Sequence, residues 1–323
     1  MAPPTATSAP LTPTPPATST PSSLPHASST RSPTATLAPS IPLGATGRAL
    51  VAGLRDGLAM SSWPSVVDPP LDQFWLTGNR DPAYKACVAT VASDPGSCTF
   101  GRRNGPEIDV YGDSLGINLL KTVVTAYGTD HEVRGLTKLA CAVNGVDADF
   151  GKDEWAIPCV RHREATIAYV RRARPEVLIM VENYAWSLRL KSHATGEAAG
   201  REWQAADQAF VQAVRPYVRH VVIVSPSISG VGFMDCYRPG GSPQRCVTGI
   251  PSWWRTTRDA ERRVQGVTFV DTLHWWCVDG RCPIITGIGD TLMKTDYLHA
   301  SVQYNEILAP DLRYLLRAAG VLP

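Results

Sequence analysis

Two short stretches carry residue types that can do covalent chemistry. Residues 107–120 read EIDVYGDSLGINLL: an apolar run, then Gly112, Asp113 and Ser114, then a second apolar run. Residues 293–301 read MKTDYLHAS, with Asp296 and His299 three positions apart just ahead of a final helical pattern. A serine hydroxyl is a weak nucleophile until a base takes its proton, and an imidazole base needs a carboxylate to orient it. One loop holding both Asp296 and His299 supplies base and orienter together. Ser114 stands where a strand hands over to a helix, and the unpaired N–H groups of a helix start can stabilise an oxyanion. The same position suits an ordinary N-cap, for which Ser and Asp are both favoured. The first stretch alone leaves cap and nucleophile open, and the second decides for the nucleophile.

Two other patterns compete. His274 has Asp271 three residues before it, but it falls inside an expected strand beside Cys277 and reads as packed interior or rim. GDSLG at 112–116 also satisfies the G-x-S-x-G pattern of a nucleophile elbow. In that fold several strands precede the serine and the Asp and His come from separate segments. Here Ser114 follows the first clear strand and its partners share one loop, so the elbow is the weaker reading.

The elements that must position these residues alternate. Strand-like runs fall at 108–112, 131–140, 176–183, 220–227 and 267–273, and helical patterns at 115–126, 160–173, 200–215 and 252–264. A last helix runs from about 301 to 319, kinked or split by Pro310. The continuous apolar runs VLIMV and VVIV suggest strands covered on both faces. Strand–helix alternation then predicts a three-layer α/β sandwich with a mostly parallel sheet. Sites in such sheets form at the carboxyl ends of the strands.

Eight cysteines fall into four successive local couples: Cys87 and Cys98, Cys141 and Cys159, Cys236 and Cys246, Cys277 and Cys282. No C-x-x-C spacing occurs, which argues against zinc. We expect four local disulfides, each worth roughly 2–3 kcal/mol, over the alternative of free buried thiols. That places the chain in an oxidising, extracytoplasmic setting. The chain of 323 residues has no run of 18 apolar residues, and its first residues lack the pattern of a signal peptide. The expectation is a piece of a longer protein with a membrane-spanning part upstream, or a start codon further upstream. The 31 basic and 29 acidic residues nearly cancel, which disfavours nucleic acid as a partner. No metal cluster, phosphate loop or nucleotide fingerprint is present, so no cofactor is expected.

Residues 1–43 hold eleven of the 27 prolines, a single charged residue and no aromatics. They read as a disordered tether, able to reach on the order of 130 Å when extended at ~3.1 Å per residue. Residues 44–104 read as a helical and irregular arm, with helical spacing over 44–60, and residues 105–323 as the catalytic domain.

GDSL at 112–115 with D-x-x-H at 296–299 resembles the SGNH (GDSL-type) hydrolase family. The resemblance covers roughly residues 105–320. It implies a flavodoxin-like three-layer sandwich with Ser114 as nucleophile, His299 as base and Asp296 as its partner. The family also places a Gly after the second strand and a Gly-x-Asn-Asp after the third to build the oxyanion hole. Here the third strand ends MVENYAWS, which offers Asn183 without the Gly. Neither Gly135 nor Gly145 fits the second-strand position, and the backbone near Ala140 is the substitute. TKLAC, VDTLHWWCVDGRCPI and SWPSVVDPPLDQF are similar, more narrowly, to the extracytoplasmic SGNH domains attached to membrane acyltransferase-3 proteins. That resemblance implies O-acylation, often O-acetylation, of a cell-surface glycan or secreted metabolite. The acyl donor would be delivered by a membrane domain, and the chain would be tethered at the outer face of the cytoplasmic membrane or secreted. The alternatives are a secreted serine esterase or deacetylase with water as acceptor, and a non-catalytic glycan-binding module. The tether favours the transferase. The last alternative draws on the nine tryptophans, among them the pairs Trp253–Trp254 and Trp275–Trp276.

Overall fold

The computed structural model describes residues 40–73, 81–88 and 98–323. The expected tether, residues 1–43, lies almost wholly outside the described residues, as does part of the arm. The centre is a six-stranded sheet of β1 (Thr99–Gly101), β2 (Glu107–Gly112), β3 (Glu132–Thr137), β4 (Val177–Val181), β5 (His220–Val224) and β6 (Thr268–Val270). Its spatial order is β1-β3-β2-β4-β5-β6. The last five strands pair in parallel, while β1 adds to the edge of β3 antiparallel. The parallel strands therefore follow the flavodoxin-like 2-1-3-4-5 order, whose switch point lies at the carboxyl end of the first strand. That first strand is β2, and Ser114 comes two residues after it ends.

Alternation along β4 shows why both faces are covered. Val177, Ile179 and Val181 join one hydrophobic core and Leu178 and Met180 the other, with every residue buried. The long helices are α1 (Ala45–Ala59), α2 (Ser114–Tyr127), α3 (Asp153–Ala173), α4 (Gly196–Val214), α5 (Ser252–Glu261) and α6 (Val302–Ala318). Helices α2 and α6 cover the first face through Leu120, Val123, Leu308 and Leu312. On the second face lie Tyr169 and Val170 of α3 with Phe210, Val211 and Val214 of α4. Helix α1 packs onto the same body. Its Gly57 is required there, because a Cβ at that position would stand 2.0 Å from the main-chain oxygen of Ile285.

The four expected cysteine couples are disulfides: Cys87–Cys98, Cys141–Cys159, Cys236–Cys246 and Cys277–Cys282. Strand β2 begins one residue before its expected run, and the other four expected strands end short of theirs, whose last residues belong to the loops at the carboxyl ends. Helix α3 starts at Asp153 rather than 160, and Cys159, bonded to Cys141, anchors its first turns despite Pro158. Helix α6 is one helix through Pro310, neither split nor ended there. Its buried Tyr304, Leu308, Leu312, Leu315 and Leu316 provide packing that outweighs the ~3 kcal/mol cost of an interior proline. His274 lies in a short helix, Leu273–Trp276, not in a strand. Its Nε2 meets Asp311 Oδ2 at 2.7 Å, and Thr46 of α1 donates to Asp311 Oδ1 at 2.7 Å. Asp311 of α6 thus ties together the short helix, through His274, and α1, through Thr46.

Candidate active site

The turn from β2 into α2 is built by three adjacent residues with different tasks. Gly112 lets β2 and β4 close up, since a Cβ there would stand 2.2 Å from the Val181 main-chain oxygen. Asp113 is the N-cap of α2, its Oδ1 accepting from the Leu115 N–H at 2.9 Å. The capping role falls to Asp113, which leaves the Ser114 hydroxyl unencumbered. Asp113 Oδ2 also accepts from the Asn183 N–H at 3.2 Å and the Trp186 indole N–H at 3.3 Å. Burial pushes the Asp113 carboxyl up to about 6, against the pull of these donors and of His299. Its three accepted hydrogen bonds make it a hub joining the loops after β2 and β4.

Ser114 Oγ lies 2.9 Å from His299 Nε2, and His299 Nδ1 lies 2.8 Å from Asp296 Oδ2. Because the ionised carboxylate can only accept, Nδ1 carries the hydrogen and Nε2 presents a lone pair to the serine hydroxyl. Burial raises the Asp296 carboxyl, but the His299 side chain and the N–H groups of His299 and Leu298 outweigh this and hold it below the usual range. Lys294 is buried close by, and its Nζ donates to the Ile228 carbonyl at 2.7 Å. Burial lowers its ammonium to about 8, opposed by Asp296.

One residue that the sequence did not single out sets the register between the two halves. Asn118, one helical turn after Ser114, donates Nδ2 to the Ala300 carbonyl and accepts the Ala300 N–H at Oδ1, both at 3.0 Å. The main chain beside His299 is thus clamped to the helix that carries Ser114. No motif marked it, since an Asn in an amphipathic helix gives no local signal.

The cleft above Ser114 has a volume of about 300 Å³ and is lined by Leu139, Ala140, Asn183, Trp186, Arg189, Tyr297 and His299 among others. Ala140 holds the left-handed conformation, φ +58°. A non-glycine residue there costs on the order of 1 kcal/mol, and the adjacent Cys141–Cys159 bond restrains it. Gly135 and Gly145 serve packing instead, since Cβ atoms there would meet Cys98 Sγ at 2.3 Å and Arg163 Nη1 at 2.0 Å. Asn183 caps the turn Tyr184–Leu188, its Oδ1 accepting from the Ala185 N–H at 3.0 Å. With Oδ1 so engaged, Nδ2 is the donor end of a carboxamide that lines the cleft. Trp254, Trp275 and Trp276 are buried and Trp253 is half-buried, so the tryptophan pairs are core rather than stacking platforms. A separate surface hollow of about 390 Å³ lies between α4 and α5, and its lining holds no serine, cysteine or histidine. Among the described residues no helix is long and apolar enough to cross a membrane.

Residues 85–313 match the family profile described as "SGNH domain (fused to AT3 domains)". No curated protein matches the sequence. Among solved structures, the periplasmic domain of the lipopolysaccharide acetyltransferase of Salmonella ser. Paratyphi A aligns at 14% identity and a TM-score of 0.51. That alignment covers 73% of this chain and 93% of the other. The acetylxylan esterase Axe2 of Geobacillus stearothermophilus aligns at 15% identity over 68% of this chain and 97% of its own, with a TM-score of 0.39. A putative arylesterase from Agrobacterium tumefaciens str. C58 aligns at 14% identity over 65% and 98%, with a TM-score of 0.41.

Proposed function

The chain belongs to the family of SGNH domains fused to AT3 domains, and from that premise we propose that it is an extracytoplasmic serine acyl-transfer domain working through an acyl-Ser114 intermediate. Family membership supports acyl transfer or ester hydrolysis in general. The 2.9 Å approach of Ser114 Oγ to a histidine that Asp296 orients carries the specific assignment.

His299 Nε2 takes the Ser114 proton as Oγ attacks the acyl carbonyl. The resulting oxyanion is met by the main-chain N–H at the α2 start, the Ala140 segment and Asn183 Nδ2. Collapse expels the donor's leaving group, which receives the proton from His299. A hydroxyl of the acceptor then enters, gives its proton to His299 and attacks the acyl-enzyme. That step forms the new ester and frees Ser114. The acceptor in this reading is a cell-surface glycan or a secreted metabolite, and the acyl group is most simply acetyl. The AT3 fusion of the family supports a membrane domain as the source of the acyl group, with residues 1–43 as the tether. The four disulfides support an oxidising, extracytoplasmic address.

An esterase reading with water as acceptor has one observation in its favour. Leu139 and Tyr297 at the cleft are 41% and 53% exposed, and no described element covers them against water. Presenting the protein with p-nitrophenyl acetate and a sugar acceptor separates the readings. Ester transfer to the sugar, lost in Ser114→Ala by at least ~10³-fold, is the expected result. Acetate release to water alone, with the membrane partner supplied, would leave the esterase. Equal rates for wild type and Ser114→Ala would remove the nucleophile.

A further inference from the structure

Among the side chains lining the cleft, Arg189 is the exposed charged one. The negative charge of the site is hidden: Asp113 is buried beneath the α2 start, and Asp296 lies behind His299. What the cleft presents to solvent is therefore a guanidinium. No ion pair among the described residues engages it. Asp149, whose N–H bonds the Arg189 carbonyl, directs its carboxylate not at the guanidinium but at the Gly151 N–H, 2.6 Å away.

An exposed arginine is ordinarily mobile, but this one is held. Its guanidinium carbon lies 5.5 Å from the centre of the Trp186 ring, within cation–π range. Trp186 is fixed in turn by its indole N–H on Asp113 Oδ2 and by a tilted contact with Phe150 at 4.9 Å. The Arg189 N–H bonds the Trp186 carbonyl at 3.0 Å, which closes the turn that carries both residues. A single chain of contacts therefore runs from the N-cap beside Ser114 to a fixed guanidinium at the same cleft, unpaired among the described residues. Such a planar fork is suited to a carboxylate or a phosphate, which it can bind with two parallel N–H bonds. From another loop Tyr297 presents a half-exposed aromatic face to the cleft, suited to the apolar face of a sugar ring.

We propose that the acceptor is an acidic carbohydrate, whose carboxylate or phosphate pairs with Arg189 while the hydroxyl to be acylated lies at Ser114. The inference rests on the acyl-transfer reading above and adds the charge class of the acceptor. Because the acyl-enzyme is reached from either side, the acceptor subsite can be read through the reverse reaction, release of acetate from an acetylated sugar.

The test compares kcat/KM for acetate release from O-acetylated methyl glucoside, methyl glucuronoside and glucose 6-phosphate. Wild type is expected to favour one or both charged sugars by on the order of tenfold, mainly through KM. Added salt should shrink that preference. In Arg189→Ala the charged-to-neutral ratio should collapse towards one, whatever the absolute rate on the neutral sugar, and Arg189→Lys should restore part of it. The phosphate and glucuronoside arms tell which anion the subsite takes. A wild-type ratio near one, or a preference that survives Arg189→Ala, overturns the proposal. Acetate release from the neutral sugar that does not depend on Ser114 would instead overturn the acyl-enzyme reading, so the two failures are distinct.

Discussion

Asp296 grips His299 at two points: Oδ2 meets the ring Nδ1 at 2.8 Å, and Oδ1 accepts the His299 main-chain N–H at 2.7 Å. One carboxylate thus sets both the tautomer of the imidazole and the path of the chain that carries it. The three-residue spacing makes this possible, since a D-x-x-H turn brings the side chain back onto its own i+3 backbone.

Replacing Asp296 by Asn tests the first of these grips. A carboxamide can keep Oδ1 on the main-chain N–H groups, but it turns an amide N–H towards Nδ1 and so favours the wrong tautomer. The imidazole then presents N–H, not a lone pair, to Ser114. Turnover of p-nitrophenyl acetate should fall on the order of 10³–10⁴-fold, with little change in KM or in the thermal midpoint. A loss of less than tenfold would show that His299 does not depend on this partner.

Asn183 joins two roles that a pair of substitutions can separate. Its Oδ1 caps the turn Tyr184–Leu188, and its Nδ2 is the oxyanion donor of the proposed mechanism. Asn183→Asp keeps the cap and removes the donor, while Asn183→Ala removes both. Both variants should lose about 10²–10³ in kcat, but the alanine variant alone should also lose about 1 kcal/mol of stability. Wild-type kcat in Asn183→Asp would mean that the main-chain donors near Ser114 and Ala140 suffice.

How much of this was legible in the sequence follows from how local each signal is. GDSL and D-x-x-H are short motifs, so Ser114, Asp296 and His299 were legible as candidates, although the 2.9 Å approach of Ser114 to His299 spans 185 positions. The cysteine couples were readable for the same reason, each bracketing one short loop. The sheet was readable because VLIMV and VVIV are apolar throughout. The edge strand Thr99–Gly101 was not, because three residues are too few to show alternation. Asn118 depends on Ala300, 182 positions away, and Trp186 on Asp113, 73 positions away. Neither contact leaves a local pattern. His274 was misplaced because its true partner, Asp311, is likewise remote, while Asp271 stood at a suggestive but unused spacing.

Beneath the Asn183 turn lie three buried carboxyls with the opposite problem from that of Asp296. Glu182, Asp207 and Glu261 are each at most 3% exposed. Asn144 donates to Asp207 Oδ1 at 3.1 Å, Trp203 to Glu261 Oε1 at 3.1 Å, and the Tyr184 hydroxyl also serves Glu261. No cation faces the trio in these contacts. Burial pushes Asp207 up to about 7, and burial with neighbouring carboxyl charge drives Glu182 and Glu261 well above their ordinary range. The folded state therefore keeps a proton on Asp207 that the unfolded chain releases near pH 4. Where the folded state binds the extra proton, stability falls as pH rises, so this group costs stability progressively from about pH 4 to about pH 7 and no further above that. Asp207→Asn stays neutral at every pH and removes that slope. Thermal unfolding of the two proteins across this window should show the variant gaining on wild type by roughly 2–4 kcal/mol as pH rises. Above about pH 7 the two curves should run parallel. Curves that run parallel throughout would mean that Asp207 is ionised in the folded protein already at low pH. Glu182 adjoins Asn183, so the charge that accumulates here presses on the turn that carries the proposed oxyanion donor. The variant should accordingly hold its kcat to higher pH than wild type does.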